Sequence, residues 1–373
     1  MKRFIFFILS VCLCLTFTLS GCSCTGDAIL EFNSTQVKNV KSETLGYSVT
    51  LEKNYKDIKR TSSLNENLVP EYINGEYVAK YEMGTKVSPP VNKINLSTSE
   101  SVINKITTTL SIDVVDTKRT ADDSDDKVYK DQIISEVYFY DSAWSYAPIY
   151  SKTTVKNTYI ANDETKIVFA HKIYQYETIY KKNSYTVTKK YYAEDENEDI
   201  TGQMDLNTLD QEKLKLITGN AGGGTYEYNF REVLDNVQLI FATRNLDIDK
   251  GNSTTIPIVS YTYSKSSQLE IRNLSNSMLN IDTLNYTNPT FSNLYAQNTL
   301  SIPVKNISIS LSNTDYMGLS KYVVVQKDSA DNGNIKNNGL ILEYAEAITA
   351  SSSYNCFGAL VYRLKDVNLT YSN

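Results

Sequence analysis

From Ile307 to Ser312 the chain alternates without a break: Ile307, Ile309 and Leu311 are interleaved with Ser308, Ser310 and Ser312. That spacing puts the aliphatic residues on one face of an extended strand and the serines on the other, and no helix accommodates it. The stretch from Thr165 to Tyr180 repeats the pattern with larger side chains. Tyr174, Tyr176, Thr178 and Tyr180 share one face, and Ile173, Gln175, Glu177 and Ile179 share the other. Lys181-Lys182-Asn183-Ser184 then supplies turn residues, and Tyr185, Val187, Lys189 and Tyr191 form the return strand of a hairpin. The aromatic content is mostly tyrosine, 29 against 11 Phe and one Trp. Tyrosine suits a pleated, half-buried surface. With 15 Gly and 7 Pro in 373 residues, collagen-like, Pro-rich and Gly/Ser-linker classes are excluded. The chain reads as a mainly β protein.

Further strand signals run from about residue 37 to the C-terminus, among them Ile133–Tyr140, Tyr322–Gln326, Leu340–Tyr344 and Ala359–Leu364. Helical signals are confined to about 206–236. Thr208-Leu-Asp-Gln211 fits a capping box, with Gly219 as a stop, and Phe230–Asn236 reads as a second short helix. Two acidic stretches, Asp122–Asp126 and Glu194–Asp199, read as exposed loops. Gly222-Gly-Gly224 reads as a flexible turn. No internal repeat of fixed period is present.

The N-terminus carries a separate signal. Lys2 and Arg3 precede an apolar stretch from Phe4 to Leu19, which ends in Leu19-Ser20-Gly21-Cys22. No second apolar stretch of spanning length follows. This arrangement resembles a bacterial lipobox. The resemblance implies cleavage before Cys22 and diacylglyceryl transfer to its thiol. Only a thiol gives the thioether, and small residues before it let the peptidase close on the backbone. Two or three acyl chains hold a protein stably at a membrane. The expected organisation is a signal peptide over 1–21, a polar tether over 22–37 and a β-rich region over 38–373, with a candidate division near 200–225. The expected location is the outer side of a bacterial cell membrane. Of five cysteines, Cys12 and Cys14 leave with the signal and Cys22 is lipidated. Cys24 and Cys356 remain, and their spacing does not require a disulfide.

Three segments in the mature part carry a second resemblance. They are Ser135-Glu-Val-Tyr-Phe-Tyr140 followed by Pro148-Ile-Tyr-Ser-Lys152, then Asp235-Asn-Val-Gln-Leu-Ile-Phe-Ala-Thr-Arg244, then Leu360-Val-Tyr-Arg-Leu364. In this order they resemble a group of uncharacterised secreted and lipid-anchored bacterial proteins. The sheet of that group is similar to that of the lipoprotein-localisation carriers and the mycobacterial lipid-carrying lipoproteins. The likeness covers residues 130–260 best. It implies a curved antiparallel half-barrel with one or two short helices in or near its concave face, and it implies no catalytic residues. Such a sheet must cover its apolar inner face or leave it hollow for a ligand. Tyr174, Tyr176 and Tyr180 are the expected lining of such a hollow, or else the opposite face with Ile173 and Ile179. The alternative is a β-sandwich in which the tyrosine faces pack sheet on sheet.

Catalytic and cofactor patterns do not emerge. His171, the one histidine, sits mid-strand, and no Gly-x-Ser-x-Gly elbow accompanies it. There is no His-Glu-x-x-His, phosphate-binding Gly-Lys-[Ser/Thr] loop or Gly-x-Gly-x-x-Gly. Asp247-Ile-Asp249-Lys-Gly251-Asn252 hints at a calcium loop, but Ile258 stands where an EF-hand needs Glu. A formal charge of −6 discourages nucleic-acid binding. The expectation is a non-catalytic, lipid-anchored binding or carrier module for an apolar ligand, without cofactor or metal. The alternative is a surface structural or adhesion lipoprotein with a protein or glycan partner.

Overall fold

The computed structural model of the chain describes residues 40–55, 58–59, 71–84, 102–116, 127–141, 147–161, 167–192, 224–227, 233–243, 248, 250–259, 267–280, 301–311, 320–325, 340–349 and 356–371. The lipobox with Cys22, the tether, Cys24, both acidic stretches and the Thr208–Gln211 capping box lie outside the described residues.

Alternating residues build long strands: β1 (Val40–Glu52), β4 (Glu71–Glu82), β5 (Val102–Asp116), β6 (Lys127–Asp141), β7 (Pro148–Ala161), β8 (Ile167–Lys181) and β9 (Ser184–Tyr192). A small hairpin, β2 (Asn54–Tyr55) and β3 (Ile58–Lys59), follows β1. The second half supplies β10 (Gly224–Glu227), β11 (Leu234–Asp235), β12 (Ser253–Val259), β13 (Ser267–Asn280), β14 (Ser301–Leu311), β15 (Ser320–Val325), β16 (Ile341–Thr349) and β17 (Cys356–Tyr371). Fifteen of these strands form one sheet in the order β10-β9-β8-β7-β6-β5-β4-β1-β17-β16-β15-β14-β13-β12-β11. Neighbours are antiparallel except β11 and β12, which are parallel. The sheet is thus two meanders joined at its centre, where the first strand pairs with the last.

The sheet curls. Register shifts interrupt the β1/β17, β6/β7, β13/β14 and β16/β17 pairings. An extra residue on one strand bends it and increases its twist. As a result β11, at one edge, lies against β7, near the other. This is the half-barrel, one curved sheet rather than the two flat layers of a sandwich.

The concave face is the core. Leu45, Tyr47 and Val49 of β1, Ala79 and Tyr81 of β4, and Ile106, Ile112 and Val114 of β5 point inward with Tyr362 and Leu364 of β17. A short helical segment fills part of the hollow. It consists of a 3₁₀ turn over Asn236–Gln238 and the helix α1 (Leu239–Ala242). Phe241 tilts against Tyr81 at 5.5 Å between ring centroids. The segment starts where the sequence reading had a helix end: Leu234 and Asp235, expected to be helical, are strand. The cause is local. Asp235 caps the turn, accepting from the Val237 N–H at 2.8 Å, while its own N–H donates to Gln238 Oε1 at 2.8 Å. That reciprocal pair satisfies two donors that a helix start leaves open.

The convex face carries its own cover over β16 and β17. Tyr55 of the small hairpin packs on Ala345, Ala359 and Val361. Its hydroxyl donates to Glu343 Oε1, and Arg363 Nε donates to Glu343 Oε2 at 3.0 Å. A second guanidinium nitrogen reaches Glu52 on β1. Arg363 thereby ties three adjacent strands together.

Candidate binding cavity

Strand register assembles a cluster of four tyrosines from four strands. Tyr47 is paired with Tyr77 across β1 and β4, Tyr362 with Tyr344 across β17 and β16, and Val49 with Tyr362 between the two pairs. Every second residue faces inward, so all four rings reach the concave side. Tyr344 and Tyr362 stack, with centroids 4.0 Å apart and planes 9° from parallel. Tyr77 stands nearly perpendicular to both, at 5.8 Å and 5.4 Å. Tyr47 meets Tyr344 edge-on at 5.7 Å, and its hydroxyl donates to the Ile341 carbonyl at 3.1 Å.

Opposite this cluster lies the helical segment, and between them is a cavity of about 130 Å³. Tyr77, Tyr344, Tyr362 and Glu346 form one wall, and Asn236, Val237, Leu239 and Ile240 the other. Thr108 and Leu110 of β5 and Ile133 and Ser135 of β6 form the floor. Asn236 and Glu346 are exposed, whereas Val237, Leu239 and Ile240 are buried, so the mouth lies at Asn236 and Glu346. The lining is mixed: aliphatic carbons on the helical side, hydroxyls and one carboxyl on the sheet side.

Glu346 is exposed at the mouth of this cavity, and the neighbouring protein displaces part of its solvent shell. Loss of bulk solvation raises its carboxyl above the ordinary range, and the hydrogen bond donated by Tyr362 at 3.3 Å opposes that rise. Burial, and then the charge of Glu346, push the Tyr77 phenol well above its usual value. The Tyr77 phenol stays protonated at physiological pH.

The helical wall is fastened to the sheet through one buried carboxyl. Tyr180 of β8 donates to Asp235 Oδ2 at 2.5 Å. Ser151 of β7 is a further hydrogen-bond partner of Asp235. Burial raises the Asp235 carboxyl above its ordinary value, and its three hydrogen bonds pull it back. The Tyr180 phenol is raised by burial first and by the Asp235 charge second.

Of the tyrosines singled out from sequence, Tyr180 is thus a fastener of the helical segment, 8% exposed. Tyr176 is buried under the Lys189 ammonium, 5.3 Å from its ring centroid. Burial lowers the Lys189 pKa to about 8. Neither tyrosine is in the wall of the cavity described above. Tyr174 shares their strand parity, opposite Val155 and Tyr191, and its side chain lies outside the described residues. On the other face of β8, Ile173 is buried and Ile179 half-buried. His171 falls in β8, again with its side chain outside the description. The cavity tyrosines were missed because they lie on strands far apart in the chain. The Asp235–Gln238 capping box was readable from its spacing. Among the described residues no three His, Cys, Asp or Glu side chains converge on a metal position. No described helix is long and apolar enough to cross a membrane.

No protein-family model matches the chain, and no curated protein matches it. Among solved structures it is similar to a beta-barrel-like protein of a domain of unknown function, DUF1849, from Brucella abortus, at 8% identity and a TM-score of 0.41, over 89% of this chain and 99% of that one.

Proposed function

We propose that the chain is a lipid-anchored binding protein on the outer side of a bacterial cell membrane, and that it holds a small, largely apolar ligand in the cavity beside the helical segment without transforming it. The observation that carries this reading is the cavity itself: about 130 Å³ stays open on the inner face between Ile240 and the Tyr344–Tyr362 stack. A cavity near 150 Å³ accommodates roughly a benzene ring. The site therefore suits a ring-sized body or the end of one chain, not a whole lipid. The Leu19-Ser20-Gly21-Cys22 sequence supports the anchor and the location.

Benzyl alcohol tests this. Isothermal titration should show saturable one-site binding, and a saturating dose of about 100 Kd should stabilise the protein by roughly 2.7 kcal/mol. Ile133→Phe, which fills the floor, should remove the binding. If neither benzyl alcohol nor a fluorescent fatty-acid probe binds saturably, the surface-scaffold reading takes its place.

A further inference from the structure

We infer that the ligand of this cavity is a small organic cation, an ammonium group on a ring-sized apolar body, with its charge against Glu346 and its body against Val237, Leu239 and Ile240. The inference rests on the binding role proposed above and names the ligand's chemistry.

Three observations support it. First, Glu346 is the one charged residue among the described residues lining the cavity, and no described Lys or Arg is among them. Its one hydrogen-bond partner among the described residues is the Tyr362 hydroxyl, at a long 3.3 Å. An ionised carboxylate offers about four acceptor positions, so most of its capacity is open. On the convex side of the same strand Glu343 is paired, with Arg363 at 3.0 Å. An ammonium ion in the cavity would give Glu346 the equivalent partner.

Second, the remaining sheet-side groups also favour positive charge. Tyr77, Tyr344 and Tyr362 surround the carboxyl with ring π-density and phenol oxygens, both of which attract cations. Thr108 and Ser135 add hydroxyl acceptors on the floor. An anionic ligand would find no basic side chain among these residues and would meet Glu346 directly.

Third, polarity is segregated. The carboxyl and Asn236 are at the mouth, while Val237, Leu239 and Ile240 lie deeper on the helical side. A ligand with one charged end and one apolar end matches that order, and the cavity volume limits the apolar end to about one ring. The overall negative charge of the chain would further favour approach of a cation.

The test uses the full chain, purified in detergent, with three ligands of one shape: benzylammonium, benzyl alcohol and benzoate, titrated at pH 8. Benzylammonium should bind about tenfold tighter than benzyl alcohol, and benzoate weakest of the three. Glu346→Gln should bring benzylammonium to within about threefold of benzyl alcohol in the same variant. Benzylammonium binding no tighter than benzyl alcohol in the wild-type protein would overturn the cation inference and leave the binding role standing. So would an ammonium preference that survives Glu346→Gln. Failure of all three ligands to bind would remove both. The wild-type ratio of ammonium to alcohol does not depend on any variant folding.

Discussion

Removing the Asp235 carboxyl should release the wall of the cavity from the sheet, and the structure sets the size of the effect. Asp235→Ala deletes the N-cap that accepts from the Val237 N–H, worth about 1 kcal/mol. It also leaves the Tyr180 hydroxyl buried without its acceptor, which costs roughly 1–3 kcal/mol. The sum is near 3 kcal/mol, a fall in Tm of about 6 °C at the roughly 2 °C per kcal/mol expected for a large domain. Tyr180→Phe removes only the donor, and Asp235 keeps Ser151 and the Val237 N–H. Its cost should be about 1.5 kcal/mol, the lower end for a hydrogen bond to a charged group. Because one bond appears in both single variants, the double variant should cost about 1.5 kcal/mol less than their sum. Urea unfolding of the four proteins measures this. Additivity within about 0.4 kcal/mol would show that the two side chains do not share a bond, and the fastening role of Tyr180 would fall. The sign of the pH dependence follows from the raised Asp235 pKa. The folded state holds this proton more tightly than the unfolded state, so the group's contribution is fully present below the unfolded pKa and is lost as pH rises through the folded one. Asp235→Asn cannot titrate. Its deficit relative to wild type should therefore be larger at pH 4 than at pH 7, and a deficit that shrinks on acidification would contradict the assignment.

Four other perturbations have defined outcomes. Arg363→Ala strands the 5%-exposed Glu343 without its cation and should cost about 2 kcal/mol in urea unfolding, below the fully buried range because Arg363 is itself 31% exposed. Lys80→Ala, which breaks the more exposed pair with Glu82, should cost less than about 0.5 kcal/mol in the same assay. Gly358→Ala should cost about 2 kcal/mol or more, measured by thermal denaturation, because φ is +137° there and the added Cβ would lie 2.6 Å from the Glu52 carbonyl oxygen. Cys22→Ala should abolish incorporation of a palmitate analogue during metabolic labelling, and undiminished label would sink the anchor.

The parts of the fold that were legible in sequence are those set by neighbours in the chain. Alternation over Ile307–Leu311 and over Ile173–Tyr180 identified β14 and β8, and Lys181–Ser184 marked the turn between β8 and β9. Strand lengths were underestimated: the Ile133–Tyr140 run is only part of β6, which extends from Lys127 to Asp141. Polar residues extend a strand when pairing holds them, whatever their propensity: Gln132 is paired on both sides, and Lys130 with Asp113 of β5. The cavity was not legible. Its tyrosines meet only because β1 pairs with both β17 and β4, bringing residue 77 beside residues 344 and 362. Alternation says that a residue faces one side of a sheet, but not which strands will be neighbours. Glu346 had no signal of its own, since a carboxylate in an alternating strand ordinarily reads as solvent-facing.

The pairing of β1 with β17 has a consequence for the order of events in folding. Val40 lies opposite Tyr371, and Glu52 opposite Ala359. The first described strand thus has one flank open until the last described strand appears, and the later described strands complete the middle of the sheet rather than its rim. Contacts spanning most of the chain carry the largest loop-closure cost, and folds dominated by them form slowly. Until residue 371 is available, β1 can pair only with β4, Tyr47 lacks its Ile341 acceptor, and Glu52 lacks Arg363. Joining residue 371 to residue 40 through a short turn, and opening the chain between β10 and β11, would turn this slowest closure into a local hairpin. The native sheet would keep its strand order, while its two mid-chain edge strands would become the first and last made.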